Sequence, residues 1–120
     1  MAYTEKFQKL ADDACFHADG VLPEQVDALM SQGAIALDIR DREEHDVGHI
    51  EGSLNISRGK LEMMIEAKIE SLETVILCYC NAVNRGALSA HAIKKMGYKH
   101  AKYIDGGFLG YRRLQKENTK

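Results

Sequence analysis

The sequence has few cysteines and no long apolar run. Its 120 residues include three cysteines, Cys15, Cys78 and Cys80, which is an odd number without a C-x-x-C pair. This pattern argues against a disulfide framework and against a zinc site, and we expect neither a metal nor a cofactor. The first residues, MAYTEKFQKLADD, are too charged for a signal peptide, and no apolar run approaches the length of a membrane span. We therefore expect no membrane contact and a cytoplasmic location, where free thiols persist.

Neither sign of charge dominates the whole chain, whose formal net charge is −2, but its two parts differ. Residues 1–75 hold 7 basic and 16 acidic side chains, whereas residues 76–120 hold 9 basic and 2 acidic ones. The basic part carries Cys80 and would favour a small anionic ligand. Alternatively, much of this charge is a solvated helix face plus the tail YRRLQKENTK. Because that tail lacks interleaved stacking aromatics, we do not expect nucleic-acid binding.

The spacing of apolar residues divides the chain into alternating helices and strands. Apolar residues make up 45% of the sequence, which is enough for one hydrophobic core, and no internal repeat, low-complexity segment or linker interrupts it. Helical spacing predicts helices over 4–18, 22–33, 59–72 and 87–97, with a closing helix or turn over 108–116. Short apolar runs predict buried strands at 34–39, 54–56, 74–79 and 100–104.

This alternation predicts an α/β fold, in which helices cover both faces of a parallel sheet. Ligands bind such sheets beyond the carboxyl ends of the strands, where both residues 38–40 and Cys80 are expected to lie. The first helix presents one apolar stripe, and Gly20 after it is interpreted as a stop signal. The stripe consists of Phe7, Leu10, Ala11, Ala14, Cys15 and Ala18.

Cys80 stands where a predicted buried strand gives way to a short polar loop, residues 81–84. The helix after this loop is expected to begin near Arg85 or Gly86. A loop this short turns several backbone N–H groups inward at a helix N-terminus, and these groups form a cradle for an anion. Such a setting activates a cysteine thiol, and Arg85 adds a permanent positive charge. Cys80 is therefore predicted to be a nucleophile that needs no histidine base.

The alternative for each cysteine is a role as a small hydrophobic residue of the core. For Cys80, the polar segment NAVN that follows argues against this. Cys78 faces the same side of the strand but deeper in the sheet, and two same-face neighbours are poorly placed for a disulfide. We expect both Cys78 and Cys15 to belong to the core.

Three segments in this order, LDIRDREEHDVGHIEGSLNI, VILCYCNAVNR and YIDGG, resemble the motifs of a single-domain rhodanese, a sulfurtransferase module. The resemblance covers roughly residues 22–114. It implies a rhodanese-like fold with about five parallel strands and helices on both faces. It also implies that residues 1–20 form a helical extension and that residues 21–120 form the rhodanese-like domain.

For function, the resemblance implies that Cys80 takes the outer sulfur of a small anionic donor, such as thiosulfate, as a persulfide. The sulfur then passes to cyanide, a thiol or a protein cysteine in a ping-pong exchange. A non-catalytic or sulfur-relay module that binds a partner protein is the alternative. Phosphatase relatives have a loop one residue longer than the span from Cys80 to Arg85, which disfavours phosphatase or arsenate reductase activity. A redox sensor that pairs Cys78 with Cys80 is disfavoured by strand geometry.

The resemblance also assigns the loop that binds the donor, which consists of Asn81, Ala82, Val83, Asn84, Arg85 and Gly86. Two of these depart from the family pattern. Val83 replaces a common glycine and would be strained at positive φ, and Gly86 replaces a common serine or threonine. Asn81 and Ala82 bring no charge to the loop, and Tyr111 replaces a common tryptophan. We therefore expect slow turnover with thiosulfate and a different physiological donor.

Further residues are implied as structural support for the site. These are Asp38, Arg40, His49, Gly106 and Gly107. Arg40 is expected to pair with Glu43 or Glu44, and Asp38 is expected to brace the active-site loop. His49 is expected to be a structural hydrogen-bonding residue, because the thiolate needs no proton acceptor. The two glycines would form a turn that lets the backbone pass near the site.

Overall fold

The computed structural model describes residues 3–118. Residues 1–2 and 119–120, which belong to the predicted extension and domain, lie outside the described residues. Within 3–118 the chain forms six α-helices, five strands and one 3₁₀ turn. In chain order these are α1 (Glu5–His17), β1 (Asp19–Val21), α2 (Pro23–Ser31), β2 (Ile35–Asp38), α3 (Arg42–Val47), β3 (Leu54–Asn55), the 3₁₀ turn (Arg58–Lys60), α4 (Leu61–Lys68), β4 (Ile76–Tyr79), α5 (Asn84–Lys95), β5 (Ala101–Ile104) and α6 (Gly107–Asn118).

The five strands form one sheet in the order β1-β5-β4-β2-β3, and every neighbouring pair is parallel. Leu37 of β2 lies opposite Cys78 of β4, which in turn lies opposite Tyr103 of β5. This confirms the predicted five-stranded parallel sheet. Because β4 is central and β2 is its neighbour, the segments after Tyr79 and after Asp38 meet at the same edge of the sheet.

Alternation along β4 divides the interior into two hydrophobic clusters. Ile76, Cys78 and Cys80 belong to one cluster, which α4 and α5 cover. Leu77 and Tyr79 belong to the other, which α2 and α6 cover. Helices therefore lie on both faces, as predicted for an α/β fold. Cys78 is fully buried, and this burial raises the pKa of its thiol to about 12, so its predicted place in the core is confirmed.

Strand β1 is absent from the sequence-based prediction, which interpreted Gly20 as the end of a helix. Gly20 instead lies in a three-residue strand paired with β5, too short to show an alternating pattern. A side chain at this position would meet the ring of Tyr103, with a Cβ 2.8 Å from its Cζ. The boundary that we place after residue 20 falls inside this strand.

Helix α1 buries a narrower stripe than its sequence predicts. Ala11, Ala14 and Ala18 are buried, whereas Cys15 is only half-buried and Leu10 is 59% exposed. The helix packs against α5 through its small side chains, so larger residues at the margins of the stripe stay near solvent. The prediction that Cys15 belongs to the core is therefore wrong, and Leu10, on the same predicted stripe, lies largely in solvent.

No helix within residues 3–118 combines the length and apolar character needed to cross a bilayer. In the same range, no three His, Cys, Asp or Glu side chains come together where they could hold a metal ion.

Candidate active site

Cys80 directly follows β4, at the centre of the sheet edge formed by the carboxyl ends of the strands. The loop after it is short: Val83 is the N-cap residue of α5, which begins at Asn84, one or two residues earlier than predicted. The Cys80 side chain is only 3% exposed, yet it lines a cavity of about 160 Å³. The residues that line this cavity are Tyr3, Phe7, Cys80, Asn81, Ala82, Asn84 and Arg85.

The carbonyl groups at the start of the loop are held by α6. The N–H of Phe108 donates to the Cys80 carbonyl at 2.8 Å, and the N–H of Leu109 donates to the Asn81 carbonyl at 3.1 Å. By contrast, the six successive backbone N–H groups of residues 81–86 find no hydrogen-bond acceptor within residues 3–118. Unpaired N–H groups in succession at a helix N-terminus are the elements of an anion-binding cradle.

Gly106 and Gly107 allow α6 to begin directly beneath this loop. Both have positive φ, +83° and +55°. A Cβ at Gly107 would lie 2.5 Å from the Cys80 carbonyl oxygen and 2.7 Å from that of Asn81, and would also collide with the Ala82 carbonyl. Only glycine fits there, so the predicted turn beside the site has a steric reason in addition to its backbone conformation.

Val83 and Gly86, which depart from the family pattern, lie at the N-terminus of α5, as its N-cap residue and in its first turn. Val83 has φ −128°, and the positive-φ residues among those described are all glycines, so the expected strain at Val83 does not exist. Neither residue lines the cavity. Gly86 is buried against β4, where an added Cβ would lie 3.1 Å from the Cys78 carbonyl oxygen. The glycine thus allows α5 to approach the strand closely, which a serine or threonine would oppose.

A buried ion pair braces the loop from β2. Nε and Nη2 of Arg40 donate to the two carboxylate oxygens of Asp38 at 2.9 and 2.8 Å. Nη2 also donates to the Gly48 carbonyl at 2.6 Å, while Nη1 donates to Oδ1 of Asn81 at 3.0 Å. Asp38 is therefore linked to the loop indirectly, because Arg40 binds both Asp38 and Asn81. The predicted pairing of Arg40 with Glu43 or Glu44 is wrong, because the guanidinium turns inward to the buried carboxylate.

Glu44 instead joins the loop directly. Its carboxylate accepts hydrogen bonds from Nδ2 of Asn81 at 3.2 Å and from Nη1 of Arg85 at 3.4 Å. Partial burial would raise the pKa of Glu44, but hydrogen bonds from Arg85 and from the Asp41 N–H outweigh it and hold that pKa below its ordinary value. The charge of Arg85 is therefore partly compensated beside the cavity. Glu44 and Arg85 are 34% and 37% exposed, so their pairing contributes little stability.

Two histidines extend the network behind Asp38. Nδ1 of His45 lies 2.9 Å from a carboxylate oxygen of Asp38, and the His45 ring stacks on that of His49 at 3.7 Å. Nδ1 of His49 donates to the His45 carbonyl at 2.7 Å. His49 thus makes a structural hydrogen bond, away from Cys80. The sequence-based prediction missed His45 and the role of Glu44, although both follow the Asp38–Arg40 segment in the next helix.

The N-terminal helix also contributes to the cavity, which the sequence-based prediction did not anticipate. Tyr3 and Phe7 form part of its wall, and Gln8 and Asn84 exchange side-chain hydrogen bonds of 3.4 and 3.2 Å. No local pattern in residues 3–8 signals this, because the contact spans 76 positions of the chain. The segment interpreted as an extension therefore touches the loop itself.

Comparison with known proteins identifies the family of this chain. The sequence model of the rhodanese-like domain matches residues 22–114. The chain belongs to the rhodanese-like domain family. That match confirms the resemblance, and it leaves α1 outside the common domain.

Curated relatives of this family include thiosulfate sulfurtransferases. The thiosulfate sulfurtransferase GlpE of Pseudomonas fluorescens is 33% identical over 97 residues, which are 81% of this chain and 87% of that protein. GlpE of Pseudomonas aeruginosa is 33% identical over 99 residues, which are 82% of this chain and 88% of that protein. Rhodanese relatives of this kind support a sulfurtransferase as the general class.

Solved structures support the same fold. A Rhodopseudomonas palustris protein of unknown function, described as a possible tyrosine phosphatase, has a TM-score of 0.84 and 27% identity, and the match covers 96% of this chain and 95% of that one. The human single-domain sulfurtransferase TSTD1 has a TM-score of 0.66 and 26% identity, with coverage of 81% and 96%. The first match covers enough of this chain to include most of α1.

Replacing Asp38 with Asn should lower the free energy of unfolding by about 3–5 kcal/mol at neutral pH, because Arg40 stays buried without its counter-charge. Burial would raise the pKa of Asp38, but hydrogen bonds from Arg40 and His45 hold it below its ordinary value. Its contribution is therefore fully present above about pH 5 and is lost as the pH falls through about 4 and then through the folded-state pKa.

Urea unfolding of the wild type and of Asp38→Asn at several pH values measures the difference between their free energies of unfolding. This difference should become smaller as the pH falls. Asp46→Asn is the control, because that carboxylate is exposed and lies 3.7 Å from Nε of Arg42. Its effect should stay within about 0.5 kcal/mol. A difference between wild type and Asp38→Asn that does not change with pH would contradict the prediction.

Replacing Gly107 with Ala should lower the free energy of unfolding by about 1–3 kcal/mol or more. The reason is that the new Cβ would stand at positive φ and clash with three carbonyl oxygens of the loop. The measurement is the urea-unfolding midpoint at neutral pH. Gly59→Ala provides the matched control, since an added Cβ there meets nothing within 4 Å. Equal midpoints for the two variants would show that α6 and the loop are not in close contact.

Proposed function

We propose that this protein is a rhodanese-type sulfurtransferase that carries sulfane sulfur as a persulfide on Cys80. The observation that best supports this is the row of N–H groups of residues 81–86, which begins directly after the cysteine and has no acceptor among the described residues. A persulfide carries its negative charge on the outer sulfur, and preorganised N–H donors stabilise charge of this kind. Cys80 also opens to a cavity rather than lying wholly within the core.

The proposed reaction has two steps. The Cys80 thiolate attacks the outer sulfur of thiosulfate, a sulfur–sulfur bond forms to Cys80, and the original sulfur–sulfur bond breaks with its electron pair leaving on sulfite. In the second step cyanide or a thiolate attacks the outer sulfur of the persulfide. Thiocyanate or a new persulfide is released, and the Cys80 thiolate is regenerated. No external oxidant or reductant is needed.

Each site residue has a proposed role in this scheme. Cys80 is the nucleophile, and the backbone N–H groups of residues 81–86 hold the sulfur anion. Arg85 orients the donor, with its charge moderated by Glu44. The supporting residues keep the loop in place, and they are Asp38, Arg40, His49, Gly106 and Gly107. We propose a small anionic sulfur donor and, as acceptor, cyanide, a thiol or a protein cysteine. Three free cysteines suit a reducing compartment such as the cytoplasm.

A second candidate is a sulfur-relay module, which receives its persulfide from a partner protein. One observation favours it over rapid turnover of free thiosulfate: Glu44 compensates the charge of Arg85 beside the cavity, which weakens attraction of the free dianion. A relay module would accept sulfur at Cys80 from a protein persulfide much faster than from thiosulfate.

The decisive measurement is the intact mass of the reduced protein after incubation with thiosulfate. We expect a gain of one sulfur atom that cyanide removes, and that is lost in Cys80→Ser but retained in Cys15→Ser and Cys78→Ala. A relay module would gain sulfur slowly from thiosulfate and quickly from a protein persulfide. Hydrolysis of an aryl phosphate, without sulfur gain from any donor, would contradict the proposal and support a phosphatase.

Replacing Glu44 with Gln should raise kcat/KM for thiosulfate about threefold to tenfold, because it removes one negative charge near a dianion, an effect of about 1 kcal/mol. The rate of thiocyanate formation from thiosulfate and cyanide measures this. Glu43→Gln makes the same charge change on an exposed neighbouring residue and should alter the rate less than twofold. If both variants respond equally, the effect is one of net charge and Glu44 has no specific role.

A further inference from the structure

We infer that Tyr3 and Phe7 form an aromatic subsite in the Cys80 cavity, which selects sulfur donors that carry an apolar organic group over inorganic thiosulfate. This inference rests on the proposed function and names its donor class: organic thiosulfonates and organic persulfides. In both, a terminal sulfur anion is joined to an apolar group. The sulfur would lie in the N–H cradle, and the apolar group would contact the two rings.

The two rings are placed together at the cavity. Tyr3 precedes α1 and Phe7 lies in its first turn, and both line the same cavity as Cys80. Their ring centroids are 5.2 Å apart, with the planes tilted by 46°. Phe7 is half-buried and Tyr3 is 62% exposed, so both still have apolar surface that a ligand could cover. An aromatic group on a ligand could pack against either ring, and aromatic pairs are stabilised beyond the area that they bury.

Helix α1 is fixed against the active-site loop, so the rings have a defined position. The Thr4 side chain caps the helix by accepting from the N–H of Phe7 at 3.2 Å. Ala11 and Ala14 are buried where α1 packs against α5. One turn beyond Thr4, Gln8 is linked to Asn84 of the loop by two hydrogen bonds. The aromatic wall and the cradle therefore belong to one connected structure.

The charge of the cavity points to the same donor class. Arg85 is the one cationic side chain among the described residues that line it, and Glu44 lies against that cation at 3.4 Å. The net charge at the cavity therefore attracts the dianion thiosulfate only weakly. The two rings cannot replace the hydrogen bonds that this hydrophilic ion makes with water. A monoanion with an apolar group needs less positive charge and gains from burying its apolar surface.

The transfer step balances without any further reactant. The Cys80 thiolate attacks the terminal sulfur of a thiosulfonate, R–SO₂–S⁻, and forms a sulfur–sulfur bond. The bond between that sulfur and the sulfonyl sulfur breaks, and its electron pair leaves with the sulfinate R–SO₂⁻. The products are the Cys80 persulfide and one sulfinate, with the same total charge as the reactants.

The test compares three donors: benzenethiosulfonate, methanethiosulfonate and thiosulfate. The rate constant for sulfur gain at Cys80 is followed by intact mass, and each rate is divided by the rate of the same donor with glutathione to remove intrinsic reactivity. We expect the wild type to prefer benzenethiosulfonate to methanethiosulfonate by about tenfold. Phe7→Ala and Tyr3→Ala should each reduce this preference at least threefold, with a larger fall in the benzenethiosulfonate rate than in the thiosulfate rate.

Phe16→Ala is the matched control. Phe16 lies on the same helix and is 84% exposed, and it is not among the residues that line the cavity. Its substitution should leave all three rates unchanged. Thermal unfolding of each variant reports folding, and Phe7→Leu provides an apolar side chain without an aromatic ring if Phe7→Ala unfolds early.

Two results would overturn the inference while leaving the proposed function standing. One is an equal fall in all three rates in Phe7→Ala, which would mean that the ring only supports the loop. The other is an unchanged preference in both alanine variants. A different result, no sulfur gain at Cys80 from any donor, would overturn the proposed function and the inference together.

Discussion

The contact between the first turn of α6 and the loop after β4 is the constraint on which the rest of the site depends. The N–H groups of Phe108 and Leu109 bind the carbonyls of Cys80 and Asn81, and Gly107 has no side chain to keep them apart. These two bonds hold the carbonyl groups at the start of the loop, while the N–H groups of residues 81–86 have no acceptor within residues 3–118. A helix N-terminus thus organises a second helix N-terminus, that of α5, around the cysteine.

A buried pair of charges secures the same loop from the neighbouring strand. Asp38 and Arg40 lie at the end of β2, and the guanidinium continues from the carboxylate to the side chain of Asn81. Asn81 then connects to Glu44, and Glu44 connects to Arg85. Negative and positive side chains therefore alternate along this network beside Cys80. This arrangement gives order to the loop, and it leaves the cavity less positive than the basic C-terminal part of the chain would suggest.

Much of the architecture could be predicted from local patterns. The apolar runs that contain β2, β4 and β5 indicated buried strands, and their alternation with helices indicated a parallel sheet covered on both faces. Cys80 was expected at the carboxyl edge of this sheet, and it lies there, directly after the central strand β4. Strand β1 was not predicted, because three residues around Gly20 carry no periodic signal. Cys15 was wrongly placed in the core, because helical spacing does not reveal how closely α1 and α5 approach.

The sequence by itself determined which residue would be the nucleophile candidate, since a cysteine between a buried strand and a short polar loop has a distinctive local setting. Only the tertiary structure decided the partners: Arg40 with Asp38 rather than with Glu43 or Glu44, and Gln8 with Asn84 across 76 positions. The physical reason is the separation along the chain of the residues that interact. Strand and helix patterns arise from neighbours along the chain, whereas side-chain pairing depends on strand register and helix packing, which bring distant segments together.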